Sequence, residues 1–151
     1  MRFMLNICFI LFLSTTLAQE NDKLAVKEAI ETFFEGFHNQ DSTIIKKAVS
    51  DTIVLQTVAR DKKEGEYVRS DKFQDFLKSI VGIPKTTKFK EKIKSYNIQI
   101  DGAMAHAWTP YEFWINDEFH HCGVNSFQLF KDTGRWKIIY LIDTRRKEGC
   151  D

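Results

Sequence analysis

The apolar residues of this chain change period once, near Lys88, and that single change limits the fold more than any other feature. Upstream of it, Leu24, Val26, Ala29, Ile30, Phe33, Phe34 and Phe37 recur at three- and four-residue spacing, one stripe along a helix. Asp22 is expected to cap that helix, and the Gly36–Gln40 stretch to end it. Asp41 or Ser42 opens a short second helix carrying Ile44, Ile45, Ala48 and Val49. The β-branched run Ile53–Val58 predicts a first strand, and the polar stretch Arg60–Glu66 a loop. Ser70 or Asp71 is expected to cap a third helix with Phe73, Phe76, Leu77 and Ile80 inward, stopped by Gly82 and Pro84.

Downstream of Lys88 the pattern alternates. Tyr96, Ile98 and Ile100 share one strand face, and Asp101-Gly102 is a hairpin signal. Ala103–Ile115 follows, with its phase broken at Pro110, a residue suited to an edge or a bulge. The turns Asn116-Asp117 and Asp132-Thr133-Gly134 flank Phe119–Lys131, and Trp136, Ile138, Tyr140 and Ile142 alternate along the last strand. A four-strand antiparallel meander of this length must bury one face, and the amphipathic helices are its apolar partners. The expected fold is α+β: three N-terminal helices packed on a strongly curved, mostly antiparallel sheet, a cone whose open end can hold a pocket.

The first residues carry a different message. Met1-Arg2 is a short positive start, Phe3–Leu13 is apolar apart from Asn6, and Ser14–Ala18 turns small and polar. That is the pattern of a secretory signal peptide cut after Ala18 or Gln19, too short for a membrane span. The expected organisation is a signal peptide over residues 1–18, one domain over 22–147 and a tail over 148–151. The expected location is periplasmic or secreted. An oxidising compartment makes Cys122 and Cys150, the two cysteines past the leader, a candidate disulfide. It would close a loop of roughly 28 residues, worth about 3 kcal/mol in the chain-entropy model. A metal site from His120, Cys122 and Cys150 competes with that bridge and lacks zinc-motif spacing.

With 22 basic against 21 acidic residues, the chain has no basic field for nucleic acid or an anionic membrane. The lysine run Lys85–Lys94 reads as a solvated face. Phosphate-cradling glycine loops, Cys-x-x-Cys and Gly-x-Ser-x-Gly are absent from the sequence, so neither a cofactor nor a metal is implied.

Two segments carry a family resemblance. AVKEAIETFFEGF (Ala25–Phe37), with Asp41 soon after, resembles the opening helix of the NTF2-like superfamily. GVNSFQLFKDTGRWK (Gly123–Lys137), ending in Gly134-Arg135-Trp136-Lys137-Ile138, resembles its paired last strands. The tail Ile142–Arg146 followed by Gly149-Cys150 is similar to exported bacterial members of the SnoaL-like and lumazine-binding-like kind. The resemblance implies an NTF2-like cone, with isomerases, dehydratases, polyketide cyclases and non-catalytic binders among the possible functions. Enzymes of the superfamily commonly use an acid–base Asp, His or Tyr inside the cone. No motif here matches one of those enzymes residue by residue, and fold does not fix function.

Candidate site residues therefore come from position. His121, Asn125 and Phe127 share one strand face; His120, Cys122 and Ser126 share the other, so adjacent histidines on a regular strand do not chelate one ion. His121 and Asp143 are the acid–base candidates. Arg145, on the same side as Asp143, suits a carboxylate or phosphate ligand, or else pairs with Asp143 to anchor the tail. Trp108, Tyr111, Phe113 and Trp114 either stack a flat ligand or pack a dimer interface on the outer sheet face. Gln56 is a polar residue in an apolar strand and needs a partner if buried. The leading expectation is an exported binder of a small apolar or aromatic molecule, as a homodimer. A cofactor-independent enzyme and a dimeric interaction module are the alternatives.

Overall fold

The computed structural model describes residues 2–150 apart from 62 and 64, with side chains from Gln19 onward. Three helices are present: α1 (Arg2–Asn39), α2 (Ser42–Ala48) and α3 (Phe73–Val81). The strands are β1 (Val49–Asp61), β2 (Gly65–Asp71), β3 (Phe89–Ile93), β4 (Asn97–Asp101), β5 (Met104–Ile115), β6 (Glu118–Asp132) and β7 (Arg135–Thr144). They form one sheet in the order β2-β1-β7-β6-β5-β3, with β4 also pairing β5. Every pairing is antiparallel except β1 with β7. The expected α+β cone is present. The expected leader, residues 1–18, lies outside the residues whose side chains are described. Among the described residues no helix is long and apolar enough to cross a membrane.

The core lies where the two periods meet. Val26, Ile30, Phe33 and Phe34 of α1 pack on Ala105, Ala107, Phe127, Leu129, Trp136 and Ile138 of the sheet, all buried. Gly36 lets α2 approach α1: a Cβ there would stand 2.6 Å from the Ile45 backbone nitrogen. Asp41 caps α2 as expected, its carboxylate accepting from the Thr43 and Ile44 amides. These bonds hold its pKa below the usual carboxylate range.

Several boundaries differ from expectation, each for a local reason. Helix α1 does not begin at Asp22. That carboxylate instead accepts from Lys131 Nζ (2.5 Å) and Trp136 Nε1 (3.3 Å), tying the helix to the last hairpin. The stretch Arg60–Glu66 is not a plain loop, because β1 runs to Asp61 and β2 starts at Gly65 as a hairpin partner. Every residue of β2 is exposed, so it carries no alternation to read. Helix α3 starts after Lys72, with no side-chain cap from that residue, rather than at Ser70 or Asp71. The single strand expected after Lys88 is two strands, β3 and β4, both on β5.

The C-terminus folds back across β6. Cys122 exchanges two backbone hydrogen bonds with Arg146, at 2.9 and 2.8 Å, and its sulfur is bonded to Cys150. The expected disulfide is therefore in place, and it uses both cysteines of the metal alternative. Beside it, Gly123 passes directly under the tail: a Cβ there would fall 1.8 Å from the Thr144 carbonyl oxygen and 2.8 Å from the Tyr111 ring. No rotamer relieves a clash with backbone. Gly123→Ala is expected to lower the urea midpoint by an amount equal to at least about 2 kcal/mol. An unchanged midpoint would show that the tail yields without loss.

Candidate functional site

One row of polar residues crosses the inner face of the sheet. Register pairs Thr57 of β1 with Asp143 of β7, Asp143 with Asn125 of β6, and Asn125 with Thr109 of β5. All four are buried. Buried polar groups need partners, and the row supplies them. Thr57 Oγ1 donates to Asp143 Oδ1 at 2.6 Å, and Arg145 Nε donates to Asp143 Oδ2 at 2.7 Å. The Tyr111 hydroxyl donates to the Thr144 carbonyl at 2.9 Å and lies 3.4 Å from Asp143 Oδ2. Burial raises the Tyr111 pKa, with Glu91 and Asp143 adding to the shift, so the phenol keeps its proton.

Glu91 enters this row from β3. Asn125 Nδ2 donates to its Oε1 at 2.6 Å. The Glu91 backbone N–H donates to His38 Nε2 of α1 at 2.9 Å, which fixes β3 to the helix. Loss of water pushes the Glu91 carboxyl up to about 8; the Asn125 bond and Arg145 oppose this, and the Asp143 charge reinforces it. Near neutral pH Glu91 is thus mainly a protonated acid, able to donate as well as accept.

Above the row lies a cavity of about 90 Å³, lined by Phe33, Phe34, Phe37 and Phe76 and floored by Glu91, Asn125, Asp143 and Arg145. It shares Phe37, Asp71, Phe76 and Arg145 with an open cleft of about 890 Å³ that runs between α3, β2 and the β3–β5 edge. The Phe33, Phe37 and Phe76 rings lie within 7° of parallel, stacked at centroid distances of 6.2–6.5 Å.

The sequence candidates divide around this site. Asn125, Asp143 and Arg145 meet at the cavity floor. Gln56 borders the same cavity, but its side chain is spent on Ser70 Oγ (3.0 Å) and the Tyr140 hydroxyl (2.5 Å). Tyr111 stands behind Asp143 as a support. Trp108 does not stack in the pocket; it is 47% exposed and lines neither the cavity nor the cleft. His121 lines neither as well. It packs on Tyr111 and Phe113, and burial, with Arg145 and His120 nearby, pushes its pKa down to about 4. It is therefore in its neutral form near pH 7, and a weaker base than one with a pKa near 7.

The strand holding His121 is not regular. The β5–β6 register slips between Phe113 and Trp114, leaving His120 as an extra residue. The bulge brings His120 Nδ1 to 2.8 Å from His121 Nδ1, so the two rings share a hydrogen bond that regular alternation excludes. Among the described residues no group of three or more His, Cys, Asp or Glu is placed to hold a metal ion.

Sequence reasoning missed Glu91 and the aromatic wall. The signal for Glu91 lay inside the lysine run: Lys88, Lys90, Lys92 and Lys94 hold one phase, and Phe89, Glu91 and Ile93 hold the other. A glutamate in the apolar phase of a strand marks a carboxyl directed at the core.

No family model matches the sequence, and no curated protein matches it. Solved structures do. An NTF2-like protein of unknown function from Shewanella baltica OS155 is 21% identical, with 85% of this chain and 96% of that chain covered and a TM-score of 0.62. A candidate dehydratase of the NTF2-like family from Streptomyces avermitilis is 14% identical, with coverage of 85% and 98% and a TM-score of 0.65. The β subunit of a candidate aromatic-ring-hydroxylating dioxygenase from Novosphingobium aromaticivorans is 12% identical, with coverage of 86% and 92% and a TM-score of 0.68.

The shifted groups set a pH signature. His38 and His121, depressed from 6.5 to about 4, contribute stability above pH 6.5 that is lost as pH falls toward 4. Glu91, raised from 4.5 to about 8, contributes stability below pH 4.5 that is lost as pH rises through 8. Between pH 6.5 and 8 the histidines only add stability as pH rises, so a decline in stability across that window belongs to Glu91. Urea unfolding at a series of pH values is expected to show that decline, and Glu91→Gln to flatten it. An equal slope in the variant would mean that Glu91 ionises as an ordinary carboxylate.

Proposed function

Taking the NTF2-like fold of this chain as the premise, we propose that it is an exported small-molecule-binding protein whose site is the aromatic cavity and its cleft. The observation that carries this reading is the joining of an apolar chamber to a wider cleft across shared walls, with a few convergent polar groups at the floor. That combination is the ordinary anatomy of a ligand site. The aromatic walls supply area; Asn125, Asp143, Arg145 and Glu91 supply orientation. Export rests on the leader pattern and agrees with the disulfide. A homodimer through the outer sheet face is part of the same reading, supported by exposed Met104, Trp108 and Phe130.

A second reading has its own support: a cofactor-independent enzyme of the isomerase, dehydratase or cyclase kind. Its support is Glu91, an acid raised toward neutrality inside the cavity and close to the Asp143–Arg145 pair. Carboxyl groups whose surroundings separate their roles are a recurrent acid–base device. In this reading Glu91 transfers the proton and Asp143 holds Arg145 in place. His121 does not line the cavity.

Native mass spectrometry of the protein purified from cells that export it is expected to show a stoichiometric small-molecule adduct. Leu141→Phe, which adds a ring at the cavity wall, is expected to remove it. An adduct that survives this substitution would place the ligand elsewhere. Glu91→Gln separates the two readings: a binder keeps its ligand, whereas an enzyme keeps the ligand and loses turnover by about a hundredfold or more.

A further inference from the structure

We propose that the ligand is a planar monocarboxylate, its carboxylate held between Arg145 and Glu91 and its ring system lying along Phe37 and Phe76. This inference rests on the small-molecule reading above and adds a chemical class to it.

The polar floor offers donors. Asp143 is already engaged on both oxygens, by Thr57 and by Arg145. Asp71, at the mouth, is paired with Arg69 at 3.3 Å. Arg145 spends only Nε on Asp143; its two terminal nitrogens have no hydrogen-bond partner among the described residues, and the side chain borders both cavity and cleft. Glu91 accepts the Asn125 amide on Oε1, while its Oε2 has no hydrogen-bond partner among the described residues. A guanidinium edge and a carboxylic acid proton on one small cavity call for an acceptor, and the fork of Arg matches the two oxygens of a carboxylate. A cationic ligand would meet the Arg145 charge with no unpaired carboxylate to answer it.

Shape selects the rest of the ligand. The inner cavity, about 90 Å³, has room for a head group, while the cleft of about 890 Å³ takes a ring system. Phe37 and Phe76 border both spaces, and their stacked rings are 3° from parallel at a centroid distance of 6.2 Å. Contact with these rings favours a planar aromatic body, which pairs with them edge-to-face or offset.

The acid proton sets a pH dependence. The groups facing Glu91 are Asn125 of β6, Asp143 of β7, Arg145 beyond it, Tyr111 of β5, and His38 of α1 at its backbone. His38 is neutral near pH 7 and Tyr111 keeps its proton. Above pH 8 an ionised Glu91 repels a carboxylate, so affinity falls as pH rises.

Isothermal titration at pH 6.5 with 2-naphthoate, 2-naphthamide and 2-naphthylmethylammonium tests the class. The carboxylate is expected to bind about tenfold or more tightly than either isostere, the margin of one charge-assisted pair. Arg145→Gln is expected to abolish that preference while leaving the amide unchanged. Because Arg145 also braces Asp143, Glu91→Gln provides a second readout: the loss of carboxylate affinity above pH 8 disappears. Amide or ammonium binding as tight as the carboxylate would overturn the monocarboxylate while leaving a small-molecule site in place. Carboxylate binding that is insensitive to both substitutions would overturn the Arg145–Glu91 anchor. Failure of all three probes on a protein that still yields an adduct would overturn the planar class. Failure with no adduct would overturn the binding reading as well.

Discussion

The parallel pairing of β1 with β7 is the contact on which the rest of the structure depends. It joins the first strand to the last and places Thr57 beside Asp143, 86 residues apart in sequence. Without it the meander β5–β6–β7 would have an unpaired edge, and Asp143 would lose its Thr57 partner. With it, the polar row becomes continuous across four strands, because side chains in register on neighbouring strands stand side by side. The row costs desolvation on an apolar face, and the hydrogen bonds along it offset that cost. A cone with one hydrogen-bonded row on its inner wall has a defined floor, and the aromatic residues of α1 and α3 have a defined ceiling over it.

At the floor two electrostatic effects compete, and the outcome differs by residue. Asp143 is compensated by a guanidinium at 2.7 Å and a hydroxyl at 2.6 Å. Glu91 has an amide donor but no cation of its own, so loss of water prevails and the acid form persists. Two carboxyl groups in one chamber thus take different chemical roles through their neighbours. The same logic lowers the pKa of His121, which is partly buried against the Tyr111 and Phe113 rings and feels the positive charge of Arg145.

Much of this was legible in the chain, and what was hidden has physical reasons. The shift from helical to alternating period located the helices and the meander, since burial of one face imposes those periods. Asn125, Asp143 and Arg145 were visible as polar residues in strand phase. The β2 strand was not, because all of its residues face solvent and it is ordered by main-chain pairing to β1. Glu91 was masked by the lysines around it, whose charge suggested a wholly solvated segment. The phenylalanines of α1 were read as core, and they are core; that three of them also wall a chamber depends on α3, whose distance from α1 no local pattern encodes. The His120 bulge is a matter of register with β5 and has no signature within β6 alone.

The segment that follows β7 has a consequence for how the floor of the site is held. The Asp143 and Arg145 side chains, the bridge from Arg146 to Cys122 and the sulfur of Cys150 all belong to the last nine residues. Long-range closure of this kind is slow compared with helix formation, because loop entropy must be overcome before the contacts form. A chain clipped ahead of Asp143 has the residues of the aromatic ceiling and none of the Asp143–Arg145 pair beneath it. The Cys122–Cys150 bond holds the segment beyond Arg145 against β6, so a covalent tie backs the charged floor.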